Sequence, residues 1–191
     1  FCSRCSKSAP DADSFDPVNG MYSPDDALTR GMFCYALWNY CGSPEPSSLN
    51  PCVDLKESDY YYDAVLWAME NRIVNSISAT EFGPDNPVNR AQAATFLWRS
   101  FGSPYVSDDS PFTDVTDTEF FYQSALWAYE EGYMSPMDNI DTFKPKSDCL
   151  YGHIYWGPGD HTHEYEVTSI TAPTCFSQGY TTHTCTVCGR S

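Results

Sequence analysis

Residues 60–73 read YYYDAVLWAMENRI, and residues 120–133 read FFYQSALWAYEEGY. Both open on aromatics and reach Leu-Trp-Ala followed within two residues by Glu, in one register 60 residues apart. A second pair keeps the same offset: residues 28–44 read LTRGMFCYALWNYCGSP and residues 88–104 read VNRAQAATFLWRSFGSP. Arg30 answers to Arg90, Leu37-Trp38 to Leu97-Trp98, and Gly42-Ser43-Pro44 to Gly102-Ser103-Pro104. Several separate motifs that agree on one period are the signature of an internal repeat.

Each unit reads as two helices. Tyr61, Ala64, Val65 and Ala68 follow the i, i+3, i+4, i+7 spacing of a helical face, with Ser58 as the expected N-cap. Gly132 is placed to end the equivalent helix of the next unit. Asn89 with Gln92 three residues on forms a capping-box pattern, and Ala93, Phe96 and Leu97 give that helix its buried face. Gly-Ser-Pro stops it. Glu81 to Pro87, with Gly83, Pro84 and Pro87, reads as a loop. Two short helices cannot bury both of their faces alone, whereas stacked copies can.

Hydrophobic residues make up 41% of the 191-residue chain and aromatics 16%, too much apolar surface to stay disordered. The net charge of −16 opposes nucleic acid and anionic membrane as partners. No apolar run is long enough to span a bilayer. Nine cysteines are a density typical of oxidising compartments. The chain opens at Phe1 without an initiator Met or a signal-peptide pattern, so a piece of something longer is expected.

The repeat resembles the S-layer homology (SLH) family. The residues that carry the resemblance are Phe112-Thr113-Asp114-Val115, Trp67-Ala68, Trp127-Ala128, Phe82-Gly83-Pro84, Phe143-Lys144-Pro145 and Asn89-Arg90-Ala91-Gln92, over about residues 21 to 156. The resemblance implies a mainly α fold of stacked helix-loop-helix repeats in a pseudo-threefold arrangement. It also implies grooves that bind secondary cell-wall polysaccharide, often pyruvylated, without catalysis. The glycan-binding residues carried over are Arg30, Arg90, Asp54 and Asp114. An Arg in the first turn of a helix, beside free backbone N–H groups, suits a carboxylate or ketal anion. The alternative is that these arginines only bridge carboxylates of neighbouring repeats. Trp38, Trp67, Trp98 and Trp127 read as core rather than ligand contacts. Two departures stand out. Residues 1–20 lack a repeat opening, and the third unit carries Tyr151 where the Arg belongs.

Beyond Gly157-Pro158-Gly159-Asp160, helical periodicity gives way to HEYEVTSIT at residues 163–171 and GYTTHTCTV at residues 179–187, which read as a small β-hairpin module. With Pro173-Thr174-Cys175 and Cys185-Thr186-Val187-Cys188-Gly189, this tail is similar to a short Cys/His-rich repeat of Firmicutes surface proteins. Cys175, Cys185, Cys188 and His163, with His161 or His183 as the alternative histidine, have the composition of a structural zinc site. A disulfide from Cys175 to Cys185 or Cys188 is the alternative, and a module this small needs one staple or the other.

No nucleophile elbow, zinc-protease helix or phosphate loop is present. Cys149 and His153 have the spacing of a Cys–His pair, but a core or disulfide role fits them better. The expected organisation is a partial repeat at residues 1–52, a repeat at 53–110, a degenerate repeat at 111–157 and the β-rich Cys/His module at 158–191. The expected function is that of a secreted, non-catalytic bacterial surface protein bound to wall polysaccharide. The rivals are an adhesin that meets host or other surface proteins, and the anchor part of a larger surface enzyme.

Overall fold

The computed structural model describes residues 25–106 and 110–155, together with the backbone of two strands at 165–171 and 180–185. The helices are α1 (Arg30–Tyr40), α2 (Tyr62–Glu70), α3 (Arg90–Ser100) and α4 (Tyr122–Glu130), followed by a single 3₁₀ turn at Tyr151–His153. The fold is mainly α. The strands β1 (Tyr165–Thr171) and β2 (Tyr180–Cys185) pair antiparallel, from Tyr165 opposite Cys185 to Thr171 opposite Tyr180, with an irregularity between Val167 and Ser169.

Local chemistry sets the helix limits. Thr29 caps α1 through its hydroxyl, which accepts the Met32 N–H at 3.3 Å. Asn89 caps α3, where its amide oxygen accepts the Gln92 N–H at 2.9 Å and the Gln92 side chain accepts the Asn89 N–H at 3.1 Å. This is the reciprocal box that the sequence pattern predicts. The exits are equally regular. The indole N–H groups of Trp38 and Trp98 donate to the carbonyls of Pro44 and Pro104 at 2.8 and 2.7 Å, which pins each Gly-Ser-Pro turn beneath its own helix. At the end of α4, Gly132 takes φ 84, the left-handed residue that closes a helix.

Ser58 does not cap α2. That helix starts at Tyr62, behind Tyr61, with no side-chain cap bond. Residues 56–62 instead wind through a turn in which Asp59 accepts the Lys56 N–H at 2.8 Å and gives its own carbonyl to Tyr62 N–H at 3.0 Å.

α1 packs on α2, and α3 on α4. The sequence face of α2 is broader than a stripe, since every residue from Ala64 to Ala68 is buried. Phe33 of α1 meets Phe96 of α3 edge-to-face, with ring centroids 5.4 Å apart, so the two helix pairs share one core. Trp67 and Trp127 are buried within it and Trp38 and Trp98 are half-buried against it.

Three residues close this core with backbone hydrogen bonds. Leu28 N–H donates to the Cys149 carbonyl, Val88 N–H to the Leu28 carbonyl and Cys149 N–H to the Val88 carbonyl, at 2.9, 2.9 and 2.8 Å. Each gives one bond and receives one, so the ring is closed, and all three residues are fully buried. Buried backbone groups need such partners. A second tier repeats the cycle further out: Arg30 N–H donates to Asn86, Arg90 N–H to Ser147 and Tyr151 N–H to Asp26, each at 2.9 Å.

Candidate functional site

Arg30 and Arg90 begin α1 and α3, two residues beyond Leu28 and Val88 of that ring. They are 7% and 1% exposed. The Arg30 guanidinium donates to the carbonyls of Phe82 at 3.1 Å and Asn75 at 2.5 Å, and lies over the Phe82 ring at 4.4 Å. Arg90 repeats this in the next unit. It donates to the carbonyls of Phe143 at 2.7 Å and Ser135 at 2.6 Å, over the Phe143 ring at 4.7 Å. Burial lowers the pKa of both groups, yet a guanidinium stays charged at any ordinary pH.

The two aspartates complete the same constellation from the other side of the loop. The Asp54 carboxylate accepts the N–H groups of Phe82 (2.9 Å) and Gly83 (2.7 Å). Asp114 accepts those of Phe143 (2.8 Å) and Lys144 (2.7 Å). Burial by itself would raise the Asp54 pKa. The two backbone donors outweigh it, aided by the charge of Arg30, and the carboxyl sits below its ordinary value. Each loop is therefore gripped at its carbonyls by an Arg from the preceding unit and at its N–H groups by an Asp from its own.

Two sequence expectations are corrected by this arrangement. The N–H groups at the starts of α1 and α3 are not open to an anion. Arg30 and Gly31 donate to Asn86 and Pro84, and Arg90 and Ala91 to Ser147 and Pro145. Nor do the arginines bridge carboxylates across units, because their hydrogen bonds go to loop carbonyls. Arg30 and Asp54 grip one loop and Arg90 and Asp114 the next, each pair around a loop peptide.

Tyr151 opens a single 3₁₀ turn, in which the Leu150 N–H donates to His153 Nδ1 at 3.1 Å. Cys149 and His153 form no reactive pair here. Cys149 is fully buried, burial pushes its thiol up to about 12 against the lowering effect of Arg90, and its Sγ faces the Leu150 carbonyl. Cys34 and Cys52 are likewise free and buried.

Of the four expected zinc ligands, His163, Cys175 and Cys188 lie outside the described residues, and Cys185 ends β2, where only the backbone is described. Among the described residues no cluster of metal-ligating side chains forms, and no helix is long and apolar enough to cross a membrane. One feature that sequence reasoning missed is an open pocket of about 830 Å³ between α3 and α4, with Trp98 and Phe120 among its walls.

The sequence model of the S-layer homology domain matches residues 53–94, which run from the Asp54 turn through α2 and the gripped loop into α3. The chain carries an S-layer homology domain. Its curated relatives include the surface-layer 125 kDa protein of Lysinibacillus sphaericus, 30% identical over 109 residues, which are 57% of this chain and 9% of that protein. The cell surface protein of Thermoanaerobacter kivui is 30% identical over 110 residues, covering 55% of this chain and 14% of that one. An endoglucanase of Bacillus sp. (strain KSM-635) is 30% identical over 93 residues, 49% of this chain and 10% of the enzyme. The SLH-bearing chain thus spans only a small fraction of the length of the relatives it matches.

Proposed function

We propose that this chain is a non-catalytic module of a bacterial cell-surface protein that holds its carrier to the wall by binding wall polysaccharide. The observation that carries this is the company the matched segment keeps. A segment of similar length is shared with a surface-layer protein and with an endoglucanase, and is only 9% and 10% of each. A part common to a structural protein and a hydrolase supplies what both need, which is placement at the surface, and leaves each one's own activity elsewhere. Reading function from the site rather than from the fold adds the rest. The cyclic hydrogen-bond rings support a pseudo-threefold stack of the three helical segments.

In this account Arg30, Arg90, Asp54 and Asp114 act by shaping the binding surface. They fix the loops between helices so that the clefts beside them are preorganised. The division into repeats at 1–52, 53–110 and 111–157, with a stapled β module at 158–191, belongs to the same proposal, as does zinc or a disulfide as the staple.

Co-sedimentation with purified Gram-positive walls tests the reading. Binding to intact walls, lost when secondary polymers are stripped by hydrofluoric acid, is expected. Equal retention on stripped peptidoglycan, or none on intact walls, would overturn it.

A further inference from the structure

We infer that the pocket between α3 and the start of α4 is a sugar subsite that takes a hexose ring without an acid group, neutral or amine-bearing, and rejects an acidic one. This rests on the wall-glycan reading and names a site within it. The pocket holds about 830 Å³ and its walls include Trp98, Asp117, Glu119, Phe120, Tyr122 and Gln123. Its aromatic walls are fixed. The Trp98 indole is tied to Pro104. Phe120 stands edge-on against Phe121, itself 5% exposed, at 5.2 Å and 90°, yet is 74% exposed to solvent. An aromatic ring that is braced from behind and bare in front offers a flat apolar face to the C–H side of a sugar. Gln123 is positioned by accepting the Val106 N–H at 3.0 Å.

The polar walls set the selectivity. Asp117 and Glu119 are acceptors for sugar hydroxyls or an ammonium group, through charge-assisted hydrogen bonds. Among the described lining residues there is no Lys or Arg, so an acidic sugar would meet two carboxylates with no counter-charge.

The preceding unit provides an internal comparison. There Lys56 replaces Thr116, Tyr60 replaces Phe120 and Tyr35 replaces Thr95. Tyr60 packs edge-on against Tyr35 at 5.1 Å and 89°, and Tyr35 against Trp38 at 6.1 Å, so Tyr60 is only 46% exposed. Thr95 offers no ring. Its hydroxyl turns inward to the Ala91 carbonyl at 2.7 Å and to Ser124 at 3.1 Å. The Tyr-to-Thr exchange leaves Phe120 uncovered, and Lys56 puts a cation where the second position has none. The two positions therefore differ in both shape and charge.

The test is amide and indole resonance shifts of the whole chain on titration with N-acetylglucosamine, glucosamine and glucuronic acid. The first two should move the Trp98 indole and Gln123 side-chain signals, and glucuronic acid should not. Phe120→Ala, which removes an exposed ring and leaves the spectrum dispersed, should weaken binding about tenfold, equal to about 1.4 kcal/mol. Asp117→Asn with Glu119→Gln should admit glucuronic acid. Silence of the pocket toward both non-acidic sugars, unchanged affinity in Phe120→Ala, or equal binding of the acid by the unaltered chain would each overturn the assignment. Wall binding with a silent pocket refutes this site alone. Pocket shifts without wall binding refute the anchoring reading and leave the site standing.

Discussion

Replacing Arg90 with alanine should cost about 3–5 kcal/mol of stability. The side chain is 1% exposed and makes two short hydrogen bonds, to Phe143 and Ser135. A hydrogen bond from a charged group contributes about 1.5–3 kcal/mol net. Truncation also leaves two loop carbonyls without their donor and a cavity beneath the fully buried Phe143 ring. Relief of the guanidinium's own desolvation offsets part of this, which brings the sum into the range seen when one partner of a buried charged contact is removed, about 3–5 kcal/mol. With a urea m-value of about 2 kcal/mol/M, the midpoint should fall by about 2 M. Arg90→Lys keeps the charge, but one ammonium cannot span both carbonyls, so it should lose about half as much. Lys56→Ala, at an exposed site, should change stability by under about 0.5 kcal/mol. Urea unfolding followed by tryptophan fluorescence measures all three. The reasoning fails if Arg90→Ala unfolds within about 1 kcal/mol of the parent. If that variant also loses wall binding, the guanidinium contacts ligand directly.

Four further outcomes are expected. Arg72 sits at φ 58 where the next unit has Gly132 at φ 84, so Arg72→Gly should raise stability by about 0.5–1 kcal/mol in the same unfolding assay. Lys144 at φ 54 answers to Gly83 at φ 71, and Lys144→Gly should gain less, because it also removes the ion pair with Asp138. Gly31→Ala should cost about 1–3 kcal/mol, since its Cβ would stand 2.9 Å from Cδ1 of the Tyr61 ring; an unchanged melting temperature would contradict this. Stability should fall with acid in two stages, measured as unfolding midpoints across pH. Burial, then the charge of Arg90, lowers the His153 pKa, so the unfolded chain binds protons first as pH drops through its ordinary 6.5. Asp54 is also lowered on folding, so its contribution is complete above its ordinary value near 3.8 and is lost below it. His153→Gln should flatten the upper stage and Asp54→Asn the lower one.

The repeat was legible because both halves of each unit keep one offset, and because Asn89, Gln92 and Gly132 carry caps that depend only on nearby residues. What the arginines touch was not legible. Arg90 reads the same in sequence whether it meets a sugar acid or the carbonyls of Phe143 and Ser135, which lie 53 and 45 residues away. Helix N-termini look open until one knows that the Pro84 and Pro145 carbonyls fill them. Ser58 misled for a related reason: a serine before an apolar face also suits the turn that Asp59 organises. The α3–α4 pocket was hidden because its walls come from the end of α3, the start of α4 and the turn before it, which sequence spacing does not bring together. Pattern reading reports which residues are present and is silent on contacts that are absent.

Titration of purified wall polysaccharide, freed of peptidoglycan and protein, into the chain under calorimetry tests the central claim most directly. Saturable heat, reduced to weak, non-saturating heat by prior digestion of the polymer to its monomers at the same mass concentration, is the predicted result. No heat with the intact polymer, while whole walls still retain the chain, would mean that something other than polysaccharide holds it.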